Sequence, residues 1–216
     1  MSGRIVILSE REEAPLLRLW LAQATGGQPA LARDLDGLRA LIEGREEETR
    51  LISFLTDVVT PGDVIDALGP EPYNIHPGPP EYRGSHADSF ALYEGASSFG
   101  VTGHAMTAEI DAGEIVYLKR FAVPEGARRL DFAELVLSHA VEAFAAVAMA
   151  CSTTDQPLAR RDVVWSGPRR TKAAFRALCR PRASVGAEEI ARRARACGPD
   201  FSPDLSTESA TFQPCA

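Results

Sequence analysis

Two rhythms of apolar and polar positions run along the chain. Arg4-Ile-Val-Ile-Leu-Ser9 is a continuous apolar run, as expected for a strand buried on both faces of a parallel sheet. From Glu12 to Thr25 the period lengthens. Leu16, Leu17, Trp20, Leu21 and Ala24 recur at helical spacing, and Gly26-Gly27 ends the segment. Asp34–Glu48 predicts a second helix with Leu35, Leu38, Leu41 and Ile42 on one face, and Arg50–Leu55 predicts the next strand. Thr60 and Pro61 have the chemistry of an N-cap and a first helical position, opening a helix over Asp63–Leu68 that stops at Gly69-Pro70. A short strand with Asn74 and His76 comes next. Strands alternating with helices predict an α/β fold, an open and mainly parallel sheet with helices on both faces.

Ser85–Glu94 reads as a helix closed by Gly95. Phe99–Ala105 and Glu114–Val123 read as strands flanking a loop that contains Asp111. Asp131–Met149 is a long helix, capped at Leu130-Asp131, with Phe132, Leu135, Val136, His139, Phe144 and Val147 along its apolar stripe. After it, Trp165-Ser-Gly-Pro-Arg predicts a turn and Thr171–Arg180 a short helix. Another helix starts at Ser184 and runs to Cys197-Gly198, and residues 199–216 show little periodicity. Residues 1–150 therefore read as an α/β domain, and 151–216 as a small helical and irregular extension packed on it.

Composition narrows the classes. With 216 residues, 45% hydrophobic and 25% charged, the chain can bury one sizeable core. No run of eighteen apolar residues predicts a membrane span, and Glu10–Glu13 interrupts any signal-peptide pattern. The four cysteines, at 151, 179, 197 and 215, lack CxxC spacing. That predicts no disulfide framework, no zinc site and a reducing, cytoplasmic setting. The net charge of −7 is uneven: Arg160–Arg195 holds eleven Arg and Lys against three acids, +8, leaving −15 elsewhere. A solvated surface is the plain reading of that segment; contact with an anion (a polyglutamate tail, a phosphate, RNA) is the sharper one. A mostly acidic chain argues against general nucleic-acid binding.

The candidate chemistry lies in Tyr73–Gly84, YNIHPGPPEYRG, and in Gly100–Val116, GVTGHAMTAEIDAGEIV. Asn74 and His76 are two apart, so an extended segment presents both on one face. The prolines after His76 exclude helix and central strand, leaving a strand that ends abruptly in a loop. Asp111 adds a carboxylate. Each has an ordinary reading as well: Asn74 as a strand-end cap, His76 as a turn residue before proline, Asp111 as a loop residue before Ala112-Gly113. His86 and His139 read as structural.

Asn-Ile-His-Pro, Tyr-Arg-Gly, and Gly-Val-Thr…His…Asp-Ala-Gly-Glu-Ile-Val together resemble the 10-formyltetrahydrofolate-dependent formyltransferases, over roughly Leu51–Val123. The resemblance implies a Rossmann-like formyltransferase fold with a shortened N-terminal half. It implies that Asn74 stabilises a formyl oxyanion, that His76 shuttles the amine proton, and that Asp111 orients and charges the imidazole. It implies that Ser53, Phe54, Leu55, Thr56 and Val58, with Met106, Thr107, Ala108, Glu109 and Ile110, grip the folate head through backbone groups. His104 would line the site, and Arg83 would support the loop or contact an acceptor. No metal is implied, and a homodimer is left open.

Three departures bear on the acceptor. The segment before Asn74 is roughly thirty residues shorter than the family's. Ser9-Glu-Arg-Glu-Glu replaces a glycine-rich phosphate loop, which disfavours glycinamide ribonucleotide. The segment after Val123 is too short for the long helix plus a C-terminal barrel, which disfavours charged tRNA. An amino sugar, peptide or specialised metabolite remains as the amine. Hydrolysis of 10-formyltetrahydrofolate, formyl processing of the kind seen in hydrogenase-maturation proteins, and a non-catalytic folate-binding module are the alternatives.

Overall fold

The structure is a computed structural model and describes residues 3–182 and 185–204. Six strands form one sheet: β1 Arg4–Leu8, β2 Ala30–Ala32, β3 Thr49–Phe54, β4 Tyr73–His76, β5 Ser98–Ala105 and β6 Ile115–Ala122, in the order β2-β1-β3-β4-β5-β6. The first four are parallel neighbours. β5 pairs antiparallel with β4 and β6 antiparallel with β5, so five of the six strands run in one direction: the sheet is mainly parallel, as expected, with β5 the reversed strand. β1 shows why its run is apolar throughout. Ile5 and Ile7 enter the core on one face, and Val6 and Leu8 enter the core on the other.

Helices α1 Ala14–Thr25 and α5 Arg129–Cys151 cover the first face, with Leu17, Leu21, Phe132, Val136, Phe144 and Val147 buried against Ile52, Phe54 and Val101. Helices α2 Leu35–Ile42 and α3 Gly62–Ala67 cover the other through Leu38, Ile42 and Val64. By length and hydropathy α5 could cross a membrane; in this fold its apolar stripe packs on the sheet. His139, on that helix, packs against the Phe121 ring at 4.0 Å. Arg50 is 1% exposed and its guanidinium donates to the Thr154 and Gln156 carbonyls, stapling the chain after α5 to β3.

Helices α4 Ala87–Glu94, α6 Lys172–Cys179 and α7 Ala187–Cys197 form a smaller apolar cluster around Phe90, Phe175 and Leu178. Within it Cys179 and Cys197 are disulfide-bonded, contrary to the expectation of unpaired cysteines. Their separation of 18 residues carries no spacing signature, and only the packing of α6 on α7 brings their Cα atoms to 5.5 Å. Cys151 is free and buried, and Cys215 lies outside the described residues.

Boundaries moved where local signals were weak. The second helix stops at Ile42, and a 3₁₀ turn at Glu46–Glu48 replaces its predicted end. At α3 the cap is Pro61, whose carbonyl takes the first amides, while the Thr60 hydroxyl is buried without a partner. Helix α5 begins two residues earlier than expected, at Arg129, with Arg128 as its cap and paired to Asp131. The final helix begins at Ala187; its expected start, Ser184, lies outside the described residues.

Candidate active site

The strands β3 and β4 deliver their carboxyl ends to one cleft of about 860 Å³. Open α/β sheets place their chemistry at this edge. Asn74 and His76 both reach it from β4, as the period of two requires. Asn74 is paired across the sheet with His104 of β5, and its amide nitrogen lies 3.1 Å from His104 Nε2. A register irregularity at Gly103/His104 disturbs the pairing of β5 with β6 at this point. Such irregularities re-aim side chains beside sites.

Asp111 closes the constellation. It sits in the loop between β5 and β6 with φ of +49°, in the left-handed region. Its Oδ2 lies 3.4 Å from His76 Nδ1, and its Oδ1 lies 3.3 Å from His104 Nε2. One carboxylate therefore stands between two imidazoles. The Gly84 amide donates to Oδ2 at 2.8 Å. Arg83 Nε donates to the Asp111 carbonyl at 2.7 Å, and its guanidinium also binds the Ile110 carbonyl and the Glu109 carboxylate. Arg83 thus holds the loop; it does not line the cleft. Gly113 lets the loop close, because a Cβ there would stand 1.9 Å from the Ala105 carbonyl.

The remaining ring nitrogens fix the tautomers. His76 Nε2 donates to the Tyr82 carbonyl at 2.8 Å, and His104 Nδ1 to the Ala105 carbonyl at 2.8 Å. Each ring then presents its other nitrogen to Asp111, and a proton entering either contact makes a charge-assisted bond. All three side chains are 5% exposed or less. Burial pushes the Asp111 carboxyl up, but the charge of a protonated His76, the bond and charge of a protonated His104, and the bond from the Gly84 amide outweigh it. They hold the carboxyl far below the usual carboxylate range. The site is a buried anion with two adjacent proton acceptors and an amide donor at its side.

Of the expected folate-gripping residues, Ser53, Leu55, Thr56, Val58, Met106, Thr107, Ala108, Glu109 and Ile110 line the cleft. Phe54 does not: its side chain is fully buried edge-on to Phe144, because β3 alternates between the faces. Leu55 and His86 share with Asp111 a positive φ, and all three line the cleft. Backbone outliers concentrated at one cleft point to function there.

Other contributors had no sequence signal. Glu10, beyond β1, accepts from the Asp57 amide at 2.7 Å and from the Thr56 hydroxyl, pinning the loop after β3. His86, read as structural, stacks on Phe175 at 3.7 Å and faces the cleft. The basic segment is largely committed internally: Arg160 pairs with Glu71 and Glu114, Arg170 with Glu94, and Lys172 with Asp57. Arg169, Arg170 and Lys172 of this segment line the cleft.

Residues 158–171 form a strap laid over the loops that hold the constellation. The Leu158 amide donates to Tyr73 Oη at 2.7 Å, Arg161 N to the Ile115 carbonyl at 2.7 Å, and Ser166 N to the Pro80 carbonyl at 3.1 Å. Gly84 and Arg170 form a β-bridge. At Gly167 a Cβ would meet the Glu81 carbonyl at 1.7 Å, so only glycine permits this approach. The strap brings Trp165 edge-on to both His76 and His104, at 5.7 and 5.0 Å between ring centres.

The formyl transferase family model matches residues 50–148. Among solved structures, the chain resembles a sugar N-formyltransferase from a Shewanella species, with a TM-score of 0.76, 19% identity, and coverage of 96% of this chain and 99% of that one. It also resembles HypX from Aquifex aeolicus in complex with tetrahydrofolic acid, with a TM-score of 0.70, 20% identity, and coverage of 94% of this chain but 36% of that one. An N-formyltransferase from Helicobacter canadensis, in complex with folinic acid and dTDP-3-aminofucose, aligns with a TM-score of 0.67 and 14% identity, covering 91% of this chain and 81% of that one. A search of curated protein sequences found no match.

Proposed function

Residues 50–148 match the formyl transferase family model, and on that premise we propose that the chain transfers the formyl group of 10-formyltetrahydrofolate to an amine on a small acceptor. The observation that carries this reading is the convergence of Asn74, His76, His104 and Asp111 at one cleft. The amine nitrogen attacks the formyl carbon, a C–N bond forms, and the bond from that carbon to the folate nitrogen breaks. Negative charge gathers on the formyl oxygen in between, where the Asn74 amide serves as donor. The amine gives up a proton to the His76–Asp111 pair, which returns it to the leaving folate nitrogen. Asp111 stays ionised throughout, and its charge stabilises an imidazolium formed beside it.

The loops Leu55–Thr60 and Met106–Ile110 form the walls assigned to the folate head, with the first loop held by Glu10. An amino sugar is the acceptor class that the named relatives support. The acids at Glu10–Glu13, where a phosphate loop would have to stand, speak against glycinamide ribonucleotide.

The test monitors 10-formyltetrahydrofolate by absorbance, with and without a panel of amines, for the wild type and His76→Ala. Consumption that needs one class of amine and is lost in the variant identifies transfer and its acceptor. Consumption without amine makes the enzyme a hydrolase or formyl-processing protein. Folate binding with no turnover in the presence of every amine sinks the catalytic reading.

A further inference from the structure

The family match ends at residue 148, yet a side chain from beyond it packs against the reacting groups. We propose that Trp165 is a positioning residue that holds the His76 and His104 rings in register with Asp111, making the strap 158–171 part of the active site. The inference rests on the formyl-transfer reading for its catalytic consequence, but not for its geometry.

Four observations carry it. First, the indole meets both rings in T-shaped contact, with interplanar angles of 69° and 87°. Aromatic pairs favour this geometry. Polar partners hold both nitrogens of each imidazole, and the indole packs on the carbon body of the rings that those partners leave bare. Second, the indole is itself fixed. Its Nε1 donates to the Gly113 carbonyl at 2.7 Å, in the same loop as Asp111, and the Arg83 guanidinium lies over it at 5.9 Å. Third, the strap is anchored on both sides of the site, to Pro80 and Gly84 after β4 and to Ile115 at the start of β6. Fourth, Trp165 does not line the cleft, so it presses on the rings from outside the substrate space. A tryptophan there serves the histidines rather than the ligand.

Among the described residues, the charged groups the structure links to the imidazoles and their loop are Asp111, Arg83 and Glu109. Asp111 lies between the two rings, and Arg83, from the loop after β4, binds the Asp111 carbonyl and is in turn paired with Glu109. A proton gained by either ring is therefore felt by Asp111 and by the indole. An imidazolium beside an indole quenches its emission, which makes the contact measurable without any substrate.

The chain has two tryptophans, so Trp20→Phe leaves Trp165 as the sole emitter. Its emission is expected to differ between W20F and W20F/H104Q, and between W20F and W20F/H76Q, because each second substitution removes a ring packed against the indole. Emission of the same intensity and maximum in all three proteins overturns the proposal whether or not formyl transfer is the activity.

The activity arm compares Trp165→Ala with Trp165→Phe in the full chain. W165A should lower kcat at least tenfold with little change in the KM for the folate donor, and should move the pH profile. W165F, which keeps a ring against the imidazoles, should recover most of the rate. Equal losses in both variants with an unmoved pH profile, tracking a fall in melting temperature, reduce Trp165 to a structural residue and overturn the proposal. If the wild type turns over no donor under any condition, the formyl-transfer reading fails, and the fluorescence comparison alone decides the contact.

Discussion

Replacing Asn74 separates its role as a donor from any role in shape. Its amide lies at the carboxyl edge of the sheet, half-buried, 3.1 Å from His104 Nε2. Asn74→Ala removes the donor and leaves the His104–Asp111 contact in place. Loss of one oxyanion donor lowers kcat by about 10²–10³, with little effect on KM for the donor substrate. Asn74→Asp keeps the shape but puts a carboxylate where the donor stood. The nitrogen of Asn74 and the Oδ1 of Asp111 lie 3.1 and 3.3 Å from the same His104 nitrogen, so they are at most the sum of these apart, 6.4 Å. Two like charges at that distance repel by about 3 kcal/mol at an effective dielectric of ~20. N74D should therefore lose at least as much as N74A at neutral pH. Repulsion from Asp111 raises the titration of the new carboxyl, whose protonated form is a donor again. Its kcat should then recover in part as pH falls, while that of N74A does not. Single-turnover rates of donor consumption from pH 5 to 8 read this directly. If N74A keeps kcat within about threefold of the wild type, or its loss falls wholly in KM, the amide is not the oxyanion donor and the assignment is wrong.

The same geometry sets two further outcomes. Asp111 is ionised well below the usual carboxylate range, so its charge contributes stability above the ordinary value of 3.8, and that contribution fades as pH falls toward the lowered folded value. Urea midpoints of wild type and Asp111→Asn should therefore differ most near neutral pH and converge below about pH 4, with a constant gap counting against the linkage. Arg83→Ala releases the Asp111 and Ile110 carbonyls together, so kcat should fall and the KM for the folate donor should rise in one variant. A change in only one of the two would separate the catalytic loop from the folate wall.

Much of the fold was open to pattern reading because its signals are local. β1 is apolar at every position because both of its faces are covered, and α5 announces itself through a repeated stripe along 23 residues. Asn74 and His76 could be assigned to one face because a strand's period is two, whatever the strand pairs with. β2 escaped notice because three residues cannot establish a period. Thr60 was misread as a cap because its hydroxyl chemistry fits that role, while in the fold the Pro61 carbonyl fills it. Phe54 was grouped with its neighbours for its backbone, and alternation along β3 turns its side chain into the core.

The sequence by itself determined the alternation of elements, the carboxyl-edge location of Asn74 and His76, and the amide, imidazole and carboxylate that define the chemistry. These depend on spacing within a few residues and on side-chain type. Only the tertiary structure decided that β5 and β6 run antiparallel, that Asp111 stands between two histidines rather than beside one, and that Cys179 meets Cys197. It alone brought Glu10 to the loop after β3 and laid Trp165 against His76 and His104. Those contacts join segments tens of residues apart, and nothing in the local order of residues encodes a meeting that depends on how whole elements pack.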